Sequence, residues 1–279
     1  MIFNGLSDTE VEKFWHDGFL LIKNVFTKDE ISNFRRAAYD TLEESEKDGS
    51  VVKSPHGPAK IIMGDLLSKP KLKQVLLDDR IVKIASDILK APLVYFGDSS
   101  MQIGLGARGM HKDNANRVDQ NDSDWQGNYP IIRFGIYLQD HKKYSGGLKV
   151  KRCSHNYVSV KKGKTVLLDT EIGDVAVWSL RTTHSGNAVR LRFLPNLPLP
   201  VPIEMRLPSW LKQEEEQERV SFFLSYGIED PRTGKFINFL KSQKWATDSL
   251  RKSKLESNVE EELKKKNIRL IKVIPEYGS

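Results

Sequence analysis

The chain has 279 residues, of which 39% are hydrophobic and 29% are charged, the balance of a globular protein with its own core. No run of about 18 apolar residues is present, so the sequence predicts no membrane span. The first residues lack the basic and apolar regions of a signal peptide, and the single Cys153 excludes an internal disulfide. We therefore expect a cytoplasmic protein.

The formal net charge is +7, from 44 lysine and arginine residues against 37 aspartate and glutamate residues. Such an excess is compatible with a nucleic acid, an anionic surface or an anionic substrate, or with solvated lysine side chains alone. Part of it lies in residues 232–279, where twelve basic side chains accompany six acidic ones. No stretch interleaves aromatic and basic residues as single-strand-binding proteins do, so a nucleic-acid partner is not favoured.

Residues 1–92 are predicted to form a helical brace against a sheet. Two capping boxes, with Ser7 and Thr27 as the N-cap residues, mark the starts of the first two helices. An apolar run between these helices indicates a buried strand, and a later cluster of glycine and proline indicates a loop. The predicted elements are a helix over 8–15, a strand over 19–22, a helix over 28–46, a loop over 49–58 and a helix over 80–89.

Residues 93–227 change to short apolar strands separated by turn residues, a pattern typical of a β-sandwich or barrel. Residues 104–109 also match G-x-G-x-x-G, but a polar loop follows them instead of the helix that a dinucleotide site requires. We interpret these glycines as a turn beside a pocket. Strands are predicted over 93–96, 99–105, 131–139, 148–150 and 175–180.

His111 and Asp113 are the candidate metal ligands of this central block. Residues two apart on a strand point to the same side, so the imidazole and the carboxylate should project together. They supply two thirds of the 2-His-1-carboxylate triad that holds non-haem Fe(II) and leaves coordination positions open. His184, which follows a later apolar strand, is the candidate third ligand. We predict that His141 is exposed and that His155 is structural.

Residues 193–218 form a proline-rich insertion, with five prolines between 195 and 208 and an acidic run near the end. Such a segment is predicted to be an extended loop, because proline is excluded from helix interiors and central strands. Long loops in compact domains are usually functional or disordered, so we hypothesise that this insertion shapes substrate access or forms an oligomer contact, with a plain surface insertion as the alternative. Beyond it we predict a strand over 219–226 and a helical extension over 228–279, with helices over 236–250 and 256–266 and an edge strand over 268–274.

Taken together, these motifs resemble the phytanoyl-CoA dioxygenase family of Fe(II)/2-oxoglutarate oxygenases, over about residues 7–227. One departure is Cys153, since the family often has glycine before the Ser-His pair. The resemblance implies a mainly β fold, a double-stranded β-helix (jelly-roll, cupin-like) core with flanking helices, in a single oxygenase domain over 1–279. The matching pieces are Asp17-Gly18-Phe19, His111-x-Asp113, residues 133–141, residues 146–150, Ser154-His155, Gly173-Asp174 and His184-Ser185-Gly186.

The family resemblance also implies a function. Fe(II) would be the cofactor, with 2-oxoglutarate and O2 as co-substrates, and His111, Asp113 and His184 would be the ligands. The expected reaction oxidises a small organic substrate, for which an anion is one option, and releases succinate and CO2. Related halogenases replace the carboxylate ligand by a small residue, so Asp113 favours hydroxylation over halogenation.

Arg219 is predicted to hold the distal carboxylate of 2-oxoglutarate, because a guanidinium group can pair with a carboxylate through two parallel hydrogen bonds. Arg181 lies too close to His184 to reach across a pocket. Arg190 and Arg192 lie in an aperiodic stretch without a strand beneath them. In the resembled family the corresponding arginine also begins the strand after the distal histidine, which supports the same choice.

Two polar side chains are assigned to the same co-substrate pocket. Ser221 lies two residues after Arg219 and faces the same side of its strand. Gln102 lies on the strand that precedes His111. We therefore expect Arg219, Ser221 and Gln102 to line one site.

Two other kinds of function stay open. A protein of this fold can bind a ligand without catalysis, and iron-dependent formation of succinate would distinguish the two cases. The positive charge also leaves open an oxygenase that acts on a nucleic acid or a protein. Salt-sensitive retention on heparin, together with activity on a polymer, would support that alternative.

Overall fold

The computed structural model describes residues 3–106 and 108–278. Within these ranges the helices are α1 (Asp8–Asp17), α2 (Lys28–Lys47), α3 (Lys73–Leu77), α4 (Asp79–Leu89), α5 (Val201–Arg206), α6 (Pro231–Ser242), α7 (Lys244–Arg251) and α8 (Val259–Lys265). The strands are β1 (Phe19–Ile22), β2 (Val51–Lys53), β3 (Lys60–Ile62), β4 (Leu93–Tyr95), β5 (Ser99–Ile103), β6 (Ile131–Tyr137), β7 (Gly147–Arg152), β8 (Lys164–Leu167), β9 (Val175–Ser179), β10 (His184–Ala188), β11 (Val220–Ile228) and β12 (Ile268–Leu270).

Two sheets form the centre of the molecule. The major sheet has the order β1-β9-β6-β11-β5-β3-β2, with β4 also paired to β11 and β12 paired to β4. The minor sheet has the order β10-β7-β8. Side chains of both sheets, among them Leu148 and Val150 from β7 and Trp178 from β9, share one buried cluster. This mostly antiparallel arrangement with flanking helices confirms the predicted jelly-roll fold class.

The alternation of side chains along β11 separates the core from the pocket. Even-numbered residues such as Phe222 and Leu224 enter the large cluster that the N-terminal helices cover. Odd-numbered residues from Ser221 onward point to the opposite face, towards the minor sheet. Polar side chains on that inner face are therefore placed between the two sheets.

The capping boxes at Ser7 and Thr27 begin α1 and α2 as predicted, each with a reciprocal hydrogen bond from the residue three positions on. Residues 1–92 also contribute strands to the sheet, since β1 pairs with β9 and β3 pairs with β5. The predicted loop over 49–58 was partly wrong because Val51–Lys53 form β2. A hydrogen bond from Ser54 N to Ala59 O, at 2.7 Å, closes the turn after β2, and the chain returns as β3, which pairs with β2.

The proline-rich insertion contains a helix, which corrects the prediction of an extended loop. Pro202 lies in the first turn of α5, where a missing N–H group costs no hydrogen bond. Glu204 of this helix pairs with Lys149 of β7, and both side chains are buried. Leu148 and Val150 face the inner cluster, so the insertion packs on the outer face of the minor sheet. It presents Phe193 and Met205 to solvent, 79% and 69% exposed.

The C-terminal extension closes the far side of the molecule. The predicted helix over 236–250 is two helices, α6 and α7, because Gln243 has an extended backbone. Both helices still bury their apolar residues in one cluster, which explains why the sequence pattern continues across the break. No helix in the described ranges is both long and apolar enough to cross a bilayer.

A buried carboxylate joins distant parts of the chain. Asp65 accepts hydrogen bonds from the hydroxyl groups of Tyr95, at 3.0 Å, and Tyr277. Its backbone N–H donates to the Ser253 hydroxyl at 2.9 Å. Burial raises the pKa of Asp65, although these hydroxyl groups oppose the shift. The N-terminal third is thereby tied to the C-terminal extension.

Candidate metal centre

His111 and His184 are brought together by their backbones. His111 N donates to His184 O at 3.0 Å, and His184 N donates to His111 O at 2.9 Å. This antiparallel bridge is isolated, so His111 lies beside the end of β10 without belonging to a regular strand. Asp113 N donates to Leu180 O at 2.9 Å and continues the same pairing. The pairing places all three predicted ligands on one side of the two segments.

The three side chains form a compact donor set. His111 Nε2 lies 3.6 Å from Asp113 Oδ1, and His184 Nε2 lies 3.4 Å from Asp113 Oδ2. One ligand atom from each residue lies within 4.8 Å of the other two. The side chains are only 18%, 8% and 8% exposed, in chain order. Two imidazoles and one carboxylate at these separations fit a single divalent metal ion.

The remaining ring nitrogens determine the tautomers of the two histidines. His111 Nδ1 lies 2.8 Å from Gly109 O, and His184 Nδ1 lies 3.0 Å from Thr182 O. A carbonyl oxygen can only accept, so each Nδ1 must be the protonated nitrogen. Each Nε2 therefore keeps its lone pair and faces the cluster, which is the outer-shell arrangement typical of metal-bound histidine.

Arg133 holds the carboxylate ligand in place. Its Nη1 donates to Asp113 Oδ2 at 2.8 Å, its Nε donates to Ser225 Oγ at 3.0 Å, and its Nη2 pairs with Asp98. Burial alone would raise the pKa of Asp113, but the charge of Arg133 holds it well below the usual range. Asp113 is thus ionised and oriented whether or not a metal is bound.

Both ligand histidines are neutral at ordinary pH. Burial, together with His184, lowers the pKa of His111 to about 3. Burial also lowers the pKa of His184, against the opposing effect of Asp113. Neutral imidazole is the form that binds metals, so the cluster needs no loss of protons from its histidines before a metal can enter.

The segment before His184 is fixed by motifs that are far apart in the sequence. Gly18 has φ +86°, and a Cβ there would lie 2.3 Å from the Nδ1 atom of His155. His155 Nε2 lies 2.9 Å from Trp15 O, so the prediction of a structural histidine agrees with its contacts. Ser154 Oγ accepts from Thr183 N at 2.8 Å, one residue before the ligand. The Asp-Gly-Phe and Ser-His motifs therefore meet behind the metal centre.

Lys112 supports the ligand segment from its opposite face. Its ammonium group is buried and donates to the carbonyl oxygens of Ser154, at 2.8 Å, and Arg181, at 2.6 Å. Burial lowers the pKa of Lys112 to about 7.

Cys153, where the resembled family often has glycine, has φ +59°, the left-handed region that glycine adopts most easily. The turn is therefore kept although cysteine replaces glycine, and Cys153 adopts a backbone conformation that is strained for a residue with a side chain.

Arg219 lies between the sheets in a largely apolar and aromatic setting. Its side chain is buried, with Cζ 5.3 Å from the centre of the Tyr137 ring and 5.9 Å from that of Phe223. Its Nε donates to Gly146 O at 3.0 Å. Among residues 3–106 and 108–278, no carboxylate lies within 4 Å of its guanidinium group. Burial lowers its pKa, opposed by Tyr137 and Glu215.

Arg219 is linked to the metal centre through Gly186. This residue lies two positions after His184 on β10, so its missing side chain would be expected on the ligand side. A Cβ at Gly186 would stand 3.7 Å from Arg219 Nη2. The guanidinium group thus lies beside the strand that provides the distal histidine.

Gln102, Ser221 and Tyr137 form a row across three neighbouring strands. Ser221 is opposite Gln102 of β5 and opposite Tyr137 of β6, so the three side chains share the inner face. The hydroxyl groups of Ser221 and Tyr137 are buried without a hydrogen-bond partner in the described chain. These buried hydroxyl groups, next to a guanidinium group with no carboxylate within 4 Å in the described chain, indicate room for an anionic ligand.

His141 was wrongly predicted to be exposed. It is 1% exposed, with its ring 5.1 Å from that of Tyr137, and Gly147 is needed because a Cβ there would lie 2.9 Å from His141 Cβ. Burial, followed by Arg219 and Arg190, lowers its pKa to about 3. A neutral histidine therefore forms one wall of the Arg219 pocket. The Gly146-Gly147 pair was the sequence signal from which the burial of His141 could have been predicted.

The other arginines considered for the pocket have different roles. Arg181 is buried and donates to Asp124 O at 2.9 Å and Gly127 O at 2.6 Å, away from the cluster. Arg190 is also buried, against the sequence-based expectation of an unsupported position, and it pairs with Asp169. Arg181 is directed away from the cluster and Arg190 is paired with a carboxylate, so neither is placed to bind the co-substrate as Arg219 is.

A jelly-roll core around two histidines and one carboxylate is the arrangement of non-haem iron oxygenases. The model of the family described as phytanoyl-CoA dioxygenase matches residues 14–190, more than half of the chain. The chain belongs to the phytanoyl-CoA dioxygenase family, and it is a 2-oxoglutarate-dependent iron oxygenase. No curated protein sequence matches it.

Several solved structures share the fold. SnoK, described as a non-heme alpha ketoglutarate dependent carbocyclase from nogalamycin biosynthesis, has 17% identity and a TM-score of 0.60, over 82% of this chain and 87% of SnoK. HygX from Streptomyces hygroscopicus, with nickel and 2-oxoglutarate bound, has 17% identity and a TM-score of 0.58, over 81% and 88% of the two chains. EctD from S. alaskensis with bound Fe has 16% identity and a TM-score of 0.57, over 82% and 79%.

Proposed function

We propose that His111, Asp113 and His184 hold one Fe(II) and that the enzyme hydroxylates a small organic substrate, with release of succinate and CO2. The observation that supports this proposal most directly is the tautomer of the two histidines. Both Nδ1 atoms are held by backbone carbonyl groups, and both Nε2 atoms face one ionised carboxylate. Three protein ligands leave open positions for small molecules at the metal.

Bound iron would supply a redox-active centre at which 2-oxoglutarate and O2 react. The protein would contribute position and the exclusion of water. Arg133 keeps Asp113 ionised and oriented, so this ligand is preorganised. Trp178 packs against the His184 ring, with ring centres 5.2 Å apart, and against Phe223 at 6.3 Å. This aromatic wall shields one side of the cluster from solvent.

Arg219 is the proposed partner of the distal carboxylate of 2-oxoglutarate. It is buried, lacks a carboxylate partner within 4 Å in the described chain, and lies beside the unpaired hydroxyl groups of Ser221 and Tyr137. A carboxylate would satisfy all three groups at once, because it accepts hydrogen bonds from every donor type present. Gln102 shares the row with Ser221 and is proposed to line the same pocket.

Hydroxylation is the proposed outcome at the substrate. Asp113 fills the third ligand position with a carboxylate that Arg133 and the two imidazoles hold within 4 Å. A halide ligand could bind there only if the Asp113 carboxylate were absent. The intact triad therefore supports transfer of oxygen to the substrate.

The experiment is an anaerobic titration with Fe(II) of the wild-type protein and of His111→Ala, Asp113→Ala and His184→Ala. His56→Ala removes an exposed histidine elsewhere and is the matched control. We expect the wild type and the control to bind one Fe(II). Each ligand variant should lose activity and at least about tenfold in affinity, since even outer-shell changes cost about 10–100-fold. Unchanged affinity in all three ligand variants would rule out the triad.

The reaction is tested by succinate release. A panel of candidate metabolites is incubated with the enzyme, Fe(II), 2-oxoglutarate and ascorbate. A substrate should raise succinate formation above the rate without it and should appear as a hydroxylated product. Iron-dependent binding of 2-oxoglutarate with no succinate formed under any condition would favour the non-catalytic alternative.

A further inference from the structure

Another arginine with no carboxylate within 4 Å in the described ranges, Arg117, lies next to the ligand segment. Arg117 follows Asp113 by four residues, and its Nη2 donates to the carbonyl oxygen of Asp113 at 3.3 Å. Its Nε donates to Asn114 O at 2.8 Å. The guanidinium carbon stands 5.3 Å from the centre of the Phe239 ring on α6. Arg117 is therefore half-buried between the ligand loop and the C-terminal extension.

The loop that presents Arg117 is held by its own hydrogen bonds. The Asn114 amide donates to Asn116 O, and Asn116 N donates to Asp124 Oδ2 at 2.8 Å. Asn116 Oδ1 in turn accepts from Val118 N at 3.0 Å. A guanidinium group on a loop fixed in this way loses little conformational freedom when it binds a ligand.

The charges around Arg117 are not balanced by acidic groups. Within the part of the chain described here, neither Arg117 nor Arg108 has a carboxylate within 4 Å. Asp98 and Asp113 both pair with Arg133, and Asp124 accepts from Asn116 N within the loop. Burial lowers the pKa of Arg117, Asp113 raises it, and the charges of Arg108 and Arg133 lower it further. Asp113 is also a candidate metal ligand, so its charge is not available to Arg117 alone.

We propose that Arg117, with Arg108 at the rim, binds an anionic group of the substrate. This inference rests on the proposed function, because it places the anion beside the triad at which the substrate is oxidised. Both Arg117 contacts are to backbone carbonyl oxygens, so they use two of its five N–H groups and neutralise none of its charge. A carboxylate or a phosphate ester supplies the missing charge and accepts from the remaining N–H groups.

The proposal assigns the two organic reactants to different arginines. Arg219 comes from β11 and touches the minor sheet at Gly146, whereas Arg117 comes from the ligand loop and touches α6. 2-Oxoglutarate would therefore bind between the sheets, and the substrate anion would bind between the ligand loop and the C-terminal extension. This division makes the substrate class anionic, and it gives α6 a part in substrate recognition.

The test is calorimetric titration of the protein loaded with Ni(II) and 2-oxoglutarate. The two probe anions are acetate, which stands for a carboxylate, and sulfate, which stands for a phosphate ester. The variants are Arg117→Gln, Arg117→Lys and the control Arg36→Gln, which removes an exposed arginine on α2. We expect the wild type to bind at least one anion saturably, and the tighter one indicates the chemical class.

Arg117→Gln should weaken that binding by about tenfold or more, whereas Arg117→Lys and Arg36→Gln should keep it within about threefold, because a charged hydrogen bond contributes about 1.5–3 kcal/mol. Succinate release without substrate should be equal in the wild type and in Arg36→Gln, which shows that the control leaves the iron site intact. Equal anion affinity in Arg117→Gln, or no saturable anion binding by the wild type, would overturn the assignment. If that result accompanies normal iron-dependent turnover of 2-oxoglutarate, the proposed function stands. If the wild type shows no such turnover, both proposals fall.

Discussion

Arg133 and Arg219 are both enclosed between the same two sheets, and they differ in what surrounds their charge. Arg133 donates to Asp98, Asp113 and Ser225, so each of its three nitrogen positions is paired. Arg219 donates to one backbone carbonyl, Gly146 O, and otherwise lies against aromatic rings. The protein therefore compensates the charge of Arg133, whereas the charge of Arg219 is left without a compensating group in the described chain.

This difference separates a positioning residue from a binding residue. A buried charge without a carboxylate partner is costly, and a bound anion would offset that cost. A buried charge with full pairing holds its partners in one geometry. Removal of Arg133 should therefore act mainly on stability and on the metal ligand, and removal of Arg219 should act mainly on the affinity for a small anion.

Arg133→Gln should give the largest effect, because it leaves Asp98 and Asp113 buried without their cation. Loss of one member of a buried ion pair costs about 3–5 kcal/mol. Urea unfolding of the metal-free proteins measures the change. The double variant with Asp98→Asn should recover part of it, since one uncompensated charge is then gone. A loss below about 1 kcal/mol would mean that Arg133 is not the compensating group.

Glu204→Gln tests a third buried cation, Lys149, which pairs with Glu204. The side chain of Lys149 is 0% exposed. We expect a loss of about 3 kcal/mol in the free energy of unfolding, at the lower end of the range because the insertion can lift and let water reach Lys149. Limited proteolysis within 193–218 should become faster than in the wild type. An unchanged digestion pattern would show that α5 is held by its apolar contacts.

The hypothesis for the proline-rich insertion can be tested directly. Replacing 193–218 by a short Gly-Ser linker should leave succinate release without substrate largely intact, because the triad and Arg219 lie outside the replaced segment. If the insertion shapes access, substrate oxidation should fall. If it forms an oligomer contact through exposed side chains such as Phe193 and Met205, the assembly state should change. Equal loss of both activities in a folded protein would contradict a role in access.

Arg219→Ala should raise the 2-oxoglutarate requirement by about tenfold or more, since a hydrogen bond to a charged group contributes about 1.5–3 kcal/mol. Iron binding should survive, because Arg219 does not contact the triad ligands. The dependence of succinate release on 2-oxoglutarate concentration measures the effect. Arg192→Ala, which removes a partly exposed arginine paired with Glu214, is the control. Wild-type behaviour in Arg219→Ala with a defect in the control would reverse the assignment.

Glu30→Gln should give the smallest change, because the Glu30 side chain is 37% exposed and its pair with Arg80 is screened. Hydrogen bonds from Arg80 lower the pKa of Glu30 from 4.5 to about 2 despite partial burial. A lowered pKa stabilises the fold above about pH 4.5, and the benefit is lost as pH falls towards 2. The variant should therefore be about 1 kcal/mol less stable at pH 7, and the difference should vanish near pH 2. A constant difference across that range would exclude the linkage.

The parts of the molecule that were predictable from sequence depend on near neighbours in the chain. Capping boxes place Ser7 beside Glu10, and the two-residue spacing brings His111 near Asp113 although neither lies in a regular strand. The role of Arg133 was missed, although Ile132 and Phe134 flank it on the opposite face of β6. A charge on the inner face of a buried strand was the available signal.

Other features depend on contacts that spacing cannot show. His141 is buried because Gly147 lets the chain close over it, and the two residues come from segments on either side of a turn. Glu204 of α5 pairs with Lys149, which is 55 residues earlier in the chain. Local rules exclude prolines from helix interiors, but they do not show that Pro202 lies in a first turn.

The contact between Asp65 and Tyr277 has a consequence for how the chain folds during synthesis. These residues are 212 positions apart, and the carboxylate of Asp65 is enclosed only when both Tyr95 and Tyr277 cover it. Contacts of such long sequence separation form late, because the intervening chain must be ordered first. A growing chain that has not yet reached Tyr277 would keep Asp65 open to water. Ribosome-bound intermediates should therefore stay susceptible to proteases until the last helices have emerged.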